Sequence, residues 1–432
     1  MDRRTFLHNI LLGLSAVPLS AELDASTSFP RDPFTLGIAS GDVTATTAIL
    51  WTRLAPDPEL ADGGMPTANV TVTWELSRDR AMTHIVRRGQ VVAVPELAHS
   101  VHLDIGELEP DQDFWYRFRV GAHFSPTGRT HTLPDPKAPP RKMRFATASC
   151  QNYTHGHFVA YRHLLRDEPD FVLHLGDYIY DTSFGKTFRK HPDDTPPATL
   201  DDFRRWHACY KTDPFLQEAH AAIPFFLCID NHDAVEDNDP AKAALRAAAY
   251  QAWYEHMPVR GYAAPGDDRF TMHRAIDLGT VAQISMLDSR QFRDTREPCN
   301  DDYDRNYGFG NYRERCSAVF ADARSMLGAE QEQWLIDRLT HNSATWNVIA
   351  SPSPFLPFSY QLEGRDLRYV GAWDAYPANR ERIAEALQAA TRGHPLILTG
   401  DVHSFWAIDG ALMPQEQECF PVVEFVTSSI SA

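Results

Sequence analysis

Residues 395–404 read Pro-Leu-Ile-Leu-Thr-Gly-Asp-Val-His-Ser, an apolar run that stops at two candidate ligands, Asp401 and His403. The run predicts a buried β-strand, and the glycine and polar residues after it mark its carboxyl end. Because side chains alternate along an extended chain, Asp401 and His403 are expected to point to the same side. The stretch therefore predicts a strand that delivers a carboxylate and an imidazole to one metal site.

The same pattern occurs twice more along the chain. The apolar run 171–175 leads into Gly-Asp at residues 176 and 177, and the run 225–229 leads into Asp-Asn-His-Asp at residues 230–233. Three buried strands that each end in oxygen and nitrogen donors favour one shared site for hard or borderline metal ions.

The chain is predicted to contain two β-rich regions of different character. Residues 30–135 hold short alternating strands separated by turn signals, which favours an N-terminal β-sandwich domain. A linker rich in proline and charge follows at residues 134–141. Residues 136–432 alternate strands and helices, which predicts an α/β sheet covered by helices with ligands outside the carboxyl ends of its strands. The helices in this second region are predicted at residues 158–167, 241–256, 329–340 and 379–391.

The bulk composition excludes some classes of partner. The 432 residues are 43% hydrophobic and 11% aromatic, so a large core can form. The net charge of -17 argues against a nucleic acid as regulatory partner and against an anionic membrane surface, since both select basic proteins. A phosphate substrate stays compatible with this charge if metal ions dominate the local field.

The N-terminus, residues 1–29, is predicted to be a leader. Arg3 and Arg4 form a twin-arginine signal, the apolar run 10–19 follows, and small residues near residue 20 offer a cleavage site. The run is shorter than the roughly 20 residues that span a bilayer, so no membrane span is expected after processing. The alternative is an ordinary first helix with two basic residues. The signal predicts export through the twin-arginine machinery to a periplasmic or secreted location.

Six cysteines occur in the chain, and export would permit disulfides. Cys299 and Cys316 flank a polar, aromatic loop and are expected to pair, although sequence alone does not fix connectivity. Cys228 lies within an apolar strand and is predicted to be a buried thiol.

The strand-end residues can be assigned to two cations. Asp177 is the candidate bridging ligand, Asn231 and Asp401 supply oxygens to one metal, and His403 supplies an imidazole to the other. Two cations about 3.5–4 Å apart can share a hydroxide, polarise a phosphoryl oxygen and stabilise both ends of an in-line displacement. The alternative is that these residues are solvated loop polars, but three strand-end motifs in order favour metal binding.

The chain resembles the PhoD-like alkaline phosphatases, within the calcineurin-like and purple-acid-phosphatase-like metallophosphoesterases. The resemblance extends over the whole chain and includes the leading β-domain at residues 34–54. It implies an N-terminal β-sandwich followed by a metallophosphatase β-sandwich flanked by helices. Because members of that family continue beyond the position of Ala432, the final sheet is expected to be short. The resembling stretches are residues 145–152, 176–180, 287–293, 327–331 and 400–404.

The same resemblance implies iron(III) and calcium as cofactors. By motif match, the iron(III) ligands would be Cys150, Asp177, Tyr180 and His403. The calcium ligands would be Asp177, Asn231 and Asp401. A thiolate and a phenolate suit a trivalent ion, whereas calcium prefers oxygen ligands. The alternatives are that Cys150 is a buried thiol or disulfide partner, that Tyr180 only packs, and that Tyr178 takes its place.

His232 is the candidate catalytic residue. It follows Asn231 directly, so it is not expected to face the same metal. It could instead reach a phosphate oxygen or the leaving group, with Asp233 orienting its ring. The alternative is a histidine that satisfies local backbone groups.

Two further residues are weaker candidates for substrate binding. The planar fork of Arg290 suits phosphate binding, and a structural ion pair with Asp288 is an equal alternative. His155 could line the substrate cleft, although a histidine in a polar loop is more often solvated.

These residues predict an exported metal-dependent phosphoesterase, and the resemblance implies an alkaline phosphatase or phosphodiesterase. A metal-bound hydroxide would attack phosphorus while His232 assists the leaving oxygen. The alternative is an envelope-polymer-binding protein with a catalytically silent metallophosphatase domain, which the short C-terminus favours and the complete ligand set opposes. Hydrolysis of another kind of ester has no positive signal. Loops around the cleft, rather than the ligands, set the preference for monoesters or diesters.

Overall fold

The structure is a computed structural model that describes residues 29–139, 142–233, 240–261, 265–295, 312–390, 392–410 and 422–432. Residues 1–28 of the predicted twin-arginine leader lie outside the described residues. Cys316 is disulfide-bonded, whereas its predicted partner Cys299 lies outside the described part of the chain. None of the described helices is long and apolar enough to cross a membrane.

The N-terminal region is built from short strands, as predicted. Its strands are β1 (Ile38–Gly41), β2 (Ala48–Arg53), β3 (Val70–Ser77), β4 (Ile85–Ala93), β5 (Ser100–Ile105), β6 (Asp113–Val120), β7 (His123–Phe124) and β8 (Gly128–His131). In β6 the buried side chains alternate with less buried ones, from Phe114 to Val120. This period of two is the pattern of a sheet with one face in the core. The N-terminal sheet has the order β4-β3-β6-β7, with β8 also paired to β6.

The second region alternates strands with helices. Its helices are α1 (Ala160–Arg166), α2 (Leu200–Lys211), α3 (Pro214–Ala222), α4 (Ala243–His256), α5 (Ala329–Thr340) and α6 (Pro377–Ala389). Its strands are β9 (Phe145–Ala148), β10 (Phe171–His174), β11 (Phe225–Leu227), β12 (Arg274–Leu278), β13 (Ala282–Met286), β14 (Tyr312–Arg313), β15 (Trp346–Ala350), β16 (Ser359–Leu362), β17 (Arg365–Tyr369), β18 (His394–Thr399), β19 (Trp406–Asp409) and β20 (Val423–Val426). Helices α2 and α3 are absent from the sequence-based prediction.

One sheet joins the two regions. The shared sheet has the order β5-β2-β1-β11-β10-β9, so three N-terminal strands continue into three strands of the second region. The junction is the parallel pairing of β1 with β11, where Gly41 lies opposite Phe225. A Cβ on Gly41 would lie 2.4 Å from the carbonyl oxygen of Phe225, so this contact requires glycine. The predicted division of the chain at residue 135 stays a prediction.

A second six-stranded sheet packs against the shared one. This distal sheet has the order β12-β13-β15-β18-β20-β19. In β15, Val348 and Ala350 belong to the same core cluster as Phe171 of the shared sheet, whereas Ile349 packs with Ile383 of α6 on the opposite face. The predicted fold, a β-sandwich flanked by helices, is thereby confirmed. A small flap sheet, β14-β17-β16, accompanies it.

Candidate metal centre

The candidate site lies where strands of both sheets end. Strands β9, β10 and β11 are parallel neighbours, so their carboxyl ends meet at one edge of the shared sheet. The loop after β18 reaches the same place from the distal sheet. Ligand atoms of Cys150, Asp177 and His403 lie within 4.8 Å of one another, and so do carboxylate oxygens of Asp177, Asp230 and Asp401. Asp177 belongs to both groups, as a bridging ligand must.

The four residues predicted to hold iron(III) surround one position. The Cys150 sulfur lies 3.7 Å from Oδ2 of Asp177, and the Tyr180 hydroxyl lies 3.1 Å from that same oxygen. The Tyr180 hydroxyl is also 2.8 Å from Nε2 of His403. Cys150 is a free thiol, so it is not a disulfide partner. Tyr178, the rival of Tyr180, points away and contacts His220 at 2.8 Å.

The backbone at these residues is strained. Cys150, Asp177, Asp401 and His403 have φ angles of +57°, +53°, +75° and +54°. Residues with a side chain seldom adopt this left-handed region, and such strain tends to collect at functional sites. The expectation that Asp401 and His403 project together from an extended strand is wrong, because β18 ends at Thr399 and both residues follow in bends. His403 lies in the group with Cys150 and Asp177, whereas Asp401 lies in the group with Asp177 and Asp230.

Burial and mutual repulsion perturb the acids of the site. Burial, followed by the charge of Asp230, raises the pKa of Asp177 to about 6 and that of Asp401 to about 8. Burial and the charge of Asp177 raise the pKa values of the Cys150 thiol and the Tyr180 hydroxyl well above their usual range. Crowded buried acids are costly to ionise without a counter-ion. The donor set therefore fits bound cations, which would relieve this repulsion.

Asp230 belongs to the site although sequence reasoning did not select it. Its Oδ1 atom forms a buried ion pair with the guanidinium of Arg290. Its Oδ2 atom is buried and has no hydrogen-bond partner among the described residues. An oxygen left in this state is suited to a cation. Its position as the first polar residue after β11 was the available signal, because Asp177 follows β10 in a similar way.

Arg290 lies among the acidic residues rather than beside Asp288. Its Nη2 atom is 3.4 Å from the amide oxygen of Asn231 and 4.0 Å from a carboxylate oxygen of Asp401. The Asp288 carboxylate instead accepts backbone N–H groups, including that of Arg290 itself at 2.9 Å. The structural alternative of an Asp288–Arg290 side-chain pair is therefore wrong. Asn231 and Asp401 both lie near Arg290, and the role of Asn231 as a metal ligand stays a prediction.

His232 stands at the edge of the centre with an unexpected partner. Its Nδ1 atom lies 2.6 Å from Oδ1 of Asp181, and its ring stacks on Tyr180 at a centroid distance of 4.2 Å. Burial lowers the pKa of His232, but the charges of Asp177 and Asp181 outweigh burial and raise this pKa to about 9. The protonated ring is therefore favoured near neutral pH.

Asp233 does not orient the ring, so that expectation is wrong. Its carboxylate accepts the backbone N–H groups of Tyr178, Ile179 and Asp230 at 2.8, 3.1 and 2.9 Å. These contacts tie the loop after β10 to the loop after β11. Sequence spacing placed Asp233 next to His232, but the loop geometry turns its side chain inward.

Two other residues border the site. His155 lies with its ring nitrogens against the carbonyl oxygens of Ser431 and Phe184, at 3.1 and 2.6 Å, and contacts none of the acidic ligands in the described structure. Tyr369, at the end of β17, donates its hydroxyl to Oδ2 of Asp401 at 2.9 Å. Tyr369 was missed because the flap sheet reaches the site only through long-range folding.

Comparison with known proteins identifies the family of this chain. Residues 145–432 match the family model of the PhoD-like phosphatases, and residues 20–134 match the model of their N-terminal domain. The chain is 40% identical to alkaline phosphatase D of Bacillus subtilis (strain 168), over 94% of this chain and 72% of that protein. A solved structure of PhoD superimposes with a TM-score of 0.87 at 38% identity, covering 94% of this chain and 79% of that one. The chain is therefore a phosphoesterase that belongs to the PhoD-like phosphatase family.

Proposed function

We propose that this phosphoesterase hydrolyses phosphate esters at a centre of at least two cations bridged by Asp177. One observation carries the proposal: the two groups of ligand atoms share Asp177. A single carboxylate common to two groups of donors is the usual arrangement for a pair of metal ions that act on one phosphate.

The proposed ligands divide by their chemistry. Iron(III) is assigned to Cys150, Asp177, Tyr180 and His403. Calcium is assigned to Asp177, Asn231, Asp401 and Asp230. Anionic sulfur and phenolate donors suit a trivalent ion, while carboxylate and amide oxygens suit calcium. When bound, the cations supply the positive charge that activates a water molecule and polarises the phosphoryl oxygen.

His232 is proposed as the general acid for the leaving oxygen. The contact of Nδ1 with Asp181 leaves Nε2 of the imidazole as the nitrogen that can serve the substrate, and the neighbouring Asp181 carboxylate favours a protonated ring. Arg290 is proposed to meet a phosphate oxygen through Nη2, on the side that faces Asn231. His155 is proposed to act indirectly on substrate binding, by positioning the segment of Phe184 through the carbonyl oxygen of that residue.

The proposed location is periplasmic or secreted, after export by the twin-arginine machinery. Arg3, Arg4 and the apolar run that follows support this location, and the disulfide of Cys316 suits an oxidising compartment. Replacing both arginines by lysine should leave the chain inside the cell. Appearance of that variant outside the cytoplasm at the normal rate would contradict the proposed route.

The test of the activity uses the purified full chain. Metal content is measured together with hydrolysis of p-nitrophenyl phosphate and bis-p-nitrophenyl phosphate, with and without calcium. Iron and calcium with turnover are expected, and Asp177→Asn should abolish turnover. Asp277→Asn changes a half-exposed carboxylate paired with Arg338 and serves as the control. Unchanged turnover in Asp177→Asn would refute the bridging role, and bound metal without any turnover would favour the silent, polymer-binding alternative.

A further inference from the structure

An exposed aromatic ring lies beside the proposed metal centre. The ring of Phe184 is nearly parallel to that of His403, with a centroid distance of 6.3 Å and an interplanar angle of 13°. It also lies 5.8 Å from the ring of Tyr180. Phe184 nevertheless keeps 42% of its surface exposed. One side of the ring therefore covers two proposed iron ligands, and the rest is open at the edge of the centre.

The segment that carries Phe184 is anchored through its backbone and through Arg189. The carbonyl oxygen of Phe184 lies 2.6 Å from Nε2 of His155, and the backbone N–H of Phe188 donates to the carbonyl of Thr154 at 2.7 Å. Arg189 donates to a carboxylate oxygen of Asp213 at 2.7 Å. These contacts hold the chain at Phe184 itself and just after it. The ring of Phe184 is therefore exposed on a segment whose backbone is held in place.

The contacts of Phe184 leave room for a ligand on its open side. Its ring contacts in the described structure are with His155, Tyr180 and His403. A large apolar surface that is left in water gains free energy when an apolar group covers it. The phosphate of a substrate held at the metal centre would place its alcohol part near this ring. An aryl group can pack on Phe184 in a stacked or edge-to-face arrangement, whereas a small polar alcohol cannot.

We propose that Phe184 is a specificity-determining residue that binds the alcohol part of the substrate, and that the enzyme prefers phosphate esters of aromatic alcohols. This inference rests on the proposed function, because the phosphate must be held at the metal centre for its alcohol part to reach Phe184. The ring acts through binding, so its removal should change KM more than kcat.

The test compares Phe184→Ala with the unmodified enzyme on phenyl phosphate and on glycerol 2-phosphate. One lost aromatic contact should lower kcat/KM for phenyl phosphate by about 3- to 10-fold, mainly through KM. The value for glycerol 2-phosphate should change little, and Phe184→Tyr should restore the preference. Phe188→Ala is the matched control, because Phe188 lies on the same segment, is 69% exposed and contacts Lys186 rather than a proposed ligand.

Equal losses on both substrates, or no loss on either, would overturn the inference. Loss of iron from Phe184→Ala would also overturn it, because the ring would then only support the ligands. Binding of phenylphosphonate and methylphosphonate, measured by calorimetry, decides the question independently of turnover. The unmodified protein should prefer phenylphosphonate and Phe184→Ala should not. Failure of the unmodified protein to hydrolyse any ester, with this binding preference intact, would refute the proposed function alone.

Discussion

A Cβ atom placed on Gly176 would lie 2.4 Å from the Cβ of Asp230, closer than two real side chains approach. Gly176 also has a φ of +93°, which residues with a side chain rarely adopt. Because Gly176 has no side chain and can adopt this backbone angle, the loop after β10 can pack onto the loop after β11. The absence of a side chain at Gly176 therefore brings the carboxylates of Asp177 and Asp230 into one site.

We expect Gly176→Ala to disable the centre. The added methyl group must push the two loops apart, and a displacement of about 1 Å can lower catalysis by about 100-fold. The measurement is kcat/KM together with metal content. Gly364→Ala is the matched control, since Gly364 has a φ of +78° but a methyl group added there would meet no atom within 4 Å. Equal effects in the two variants would show that backbone strain alone, and not the contact with Asp230, limits this position.

Asp181→Asn should lower activity and shift its pH dependence. The change removes one of the negative charges that raise the pKa of His232, so the imidazole loses its proton at lower pH. The alkaline limb of kcat should therefore move to lower pH. The loss in kcat should be about 10- to 100-fold, less than the roughly 100- to 10,000-fold that complete loss of a general acid costs.

The control for this prediction is Asp181→Glu, which keeps the charge and should restore part of the activity. Metal content should stay unchanged in both variants, because Asp181 contacts His232 rather than the carboxylate cluster. An unshifted pH profile in Asp181→Asn would contradict the role of Asp181 as a positioning residue.

Asp230→Asn should weaken calcium binding. The variant removes the negative charge of a carboxylate that has an oxygen within 4.8 Å of oxygens of Asp177 and Asp401, and it weakens the ion pair with Arg290. A loss of about 10- to 100-fold in calcium affinity is expected, as for other residues that support a metal site. Calcium titration by calorimetry provides the measurement, with Asp277→Asn as the control. Unchanged affinity would place Asp230 outside the metal centre.

Buried histidines should make the fold sensitive to acid. Burial, followed by the charge of Lys211, lowers the pKa values of His174 and His207 to about 3, whereas the unfolded chain titrates near its ordinary value of 6.5. Between about pH 3 and pH 6.5 the unfolded state binds more protons than the folded state. The stability contributed by these neutral buried histidines is therefore complete above about pH 6.5 and falls as the pH decreases. One such histidine contributes at most about 1.4 kcal/mol per pH unit.

Urea unfolding at pH 7.5 and pH 4.5 measures this effect. His207→Phe should flatten the dependence relative to the unmodified chain, because it removes one of the groups that take up a proton on unfolding. If the free energy of unfolding changes by the same amount between the two pH values in the variant and in the unmodified chain, His207 does not contribute to the acid sensitivity.

Several residues of the candidate site could be predicted because the signals for them lie in short stretches of sequence. An apolar run that ends in Gly-Asp marks both the end of a strand and a ligand, which located Asp177 and Asp401. The capping box between Thr199 and Asp202 was an equally local signal for α2, and it could have supplied the helix that was missed.

The remaining site residues depend on contacts between distant parts of the chain. Asp181 meets His232 only after the loops behind β10 and β11 come together, and Tyr369 reaches Asp401 only from the flap sheet. Local spacing favoured Asp233 as the partner of His232, but the left-handed turn at Asp177 and the packing around Gly176 decide where each carboxylate points. The directions of these side chains depend on tertiary contacts, which the sequence pattern of a single strand does not reveal.

The pairing of Gly41 with Phe225 constrains how this protein can be rearranged. A chimera that takes its N-terminal region from another family member would combine strands from two different proteins in one sheet. These strands would pair correctly only if the residues at this contact are compatible. During synthesis, the hairpin of β1 and β2 exposes an unpaired edge until Phe225 has left the ribosome. The two regions are therefore expected to complete their folding together and to be exchanged between family members as one unit.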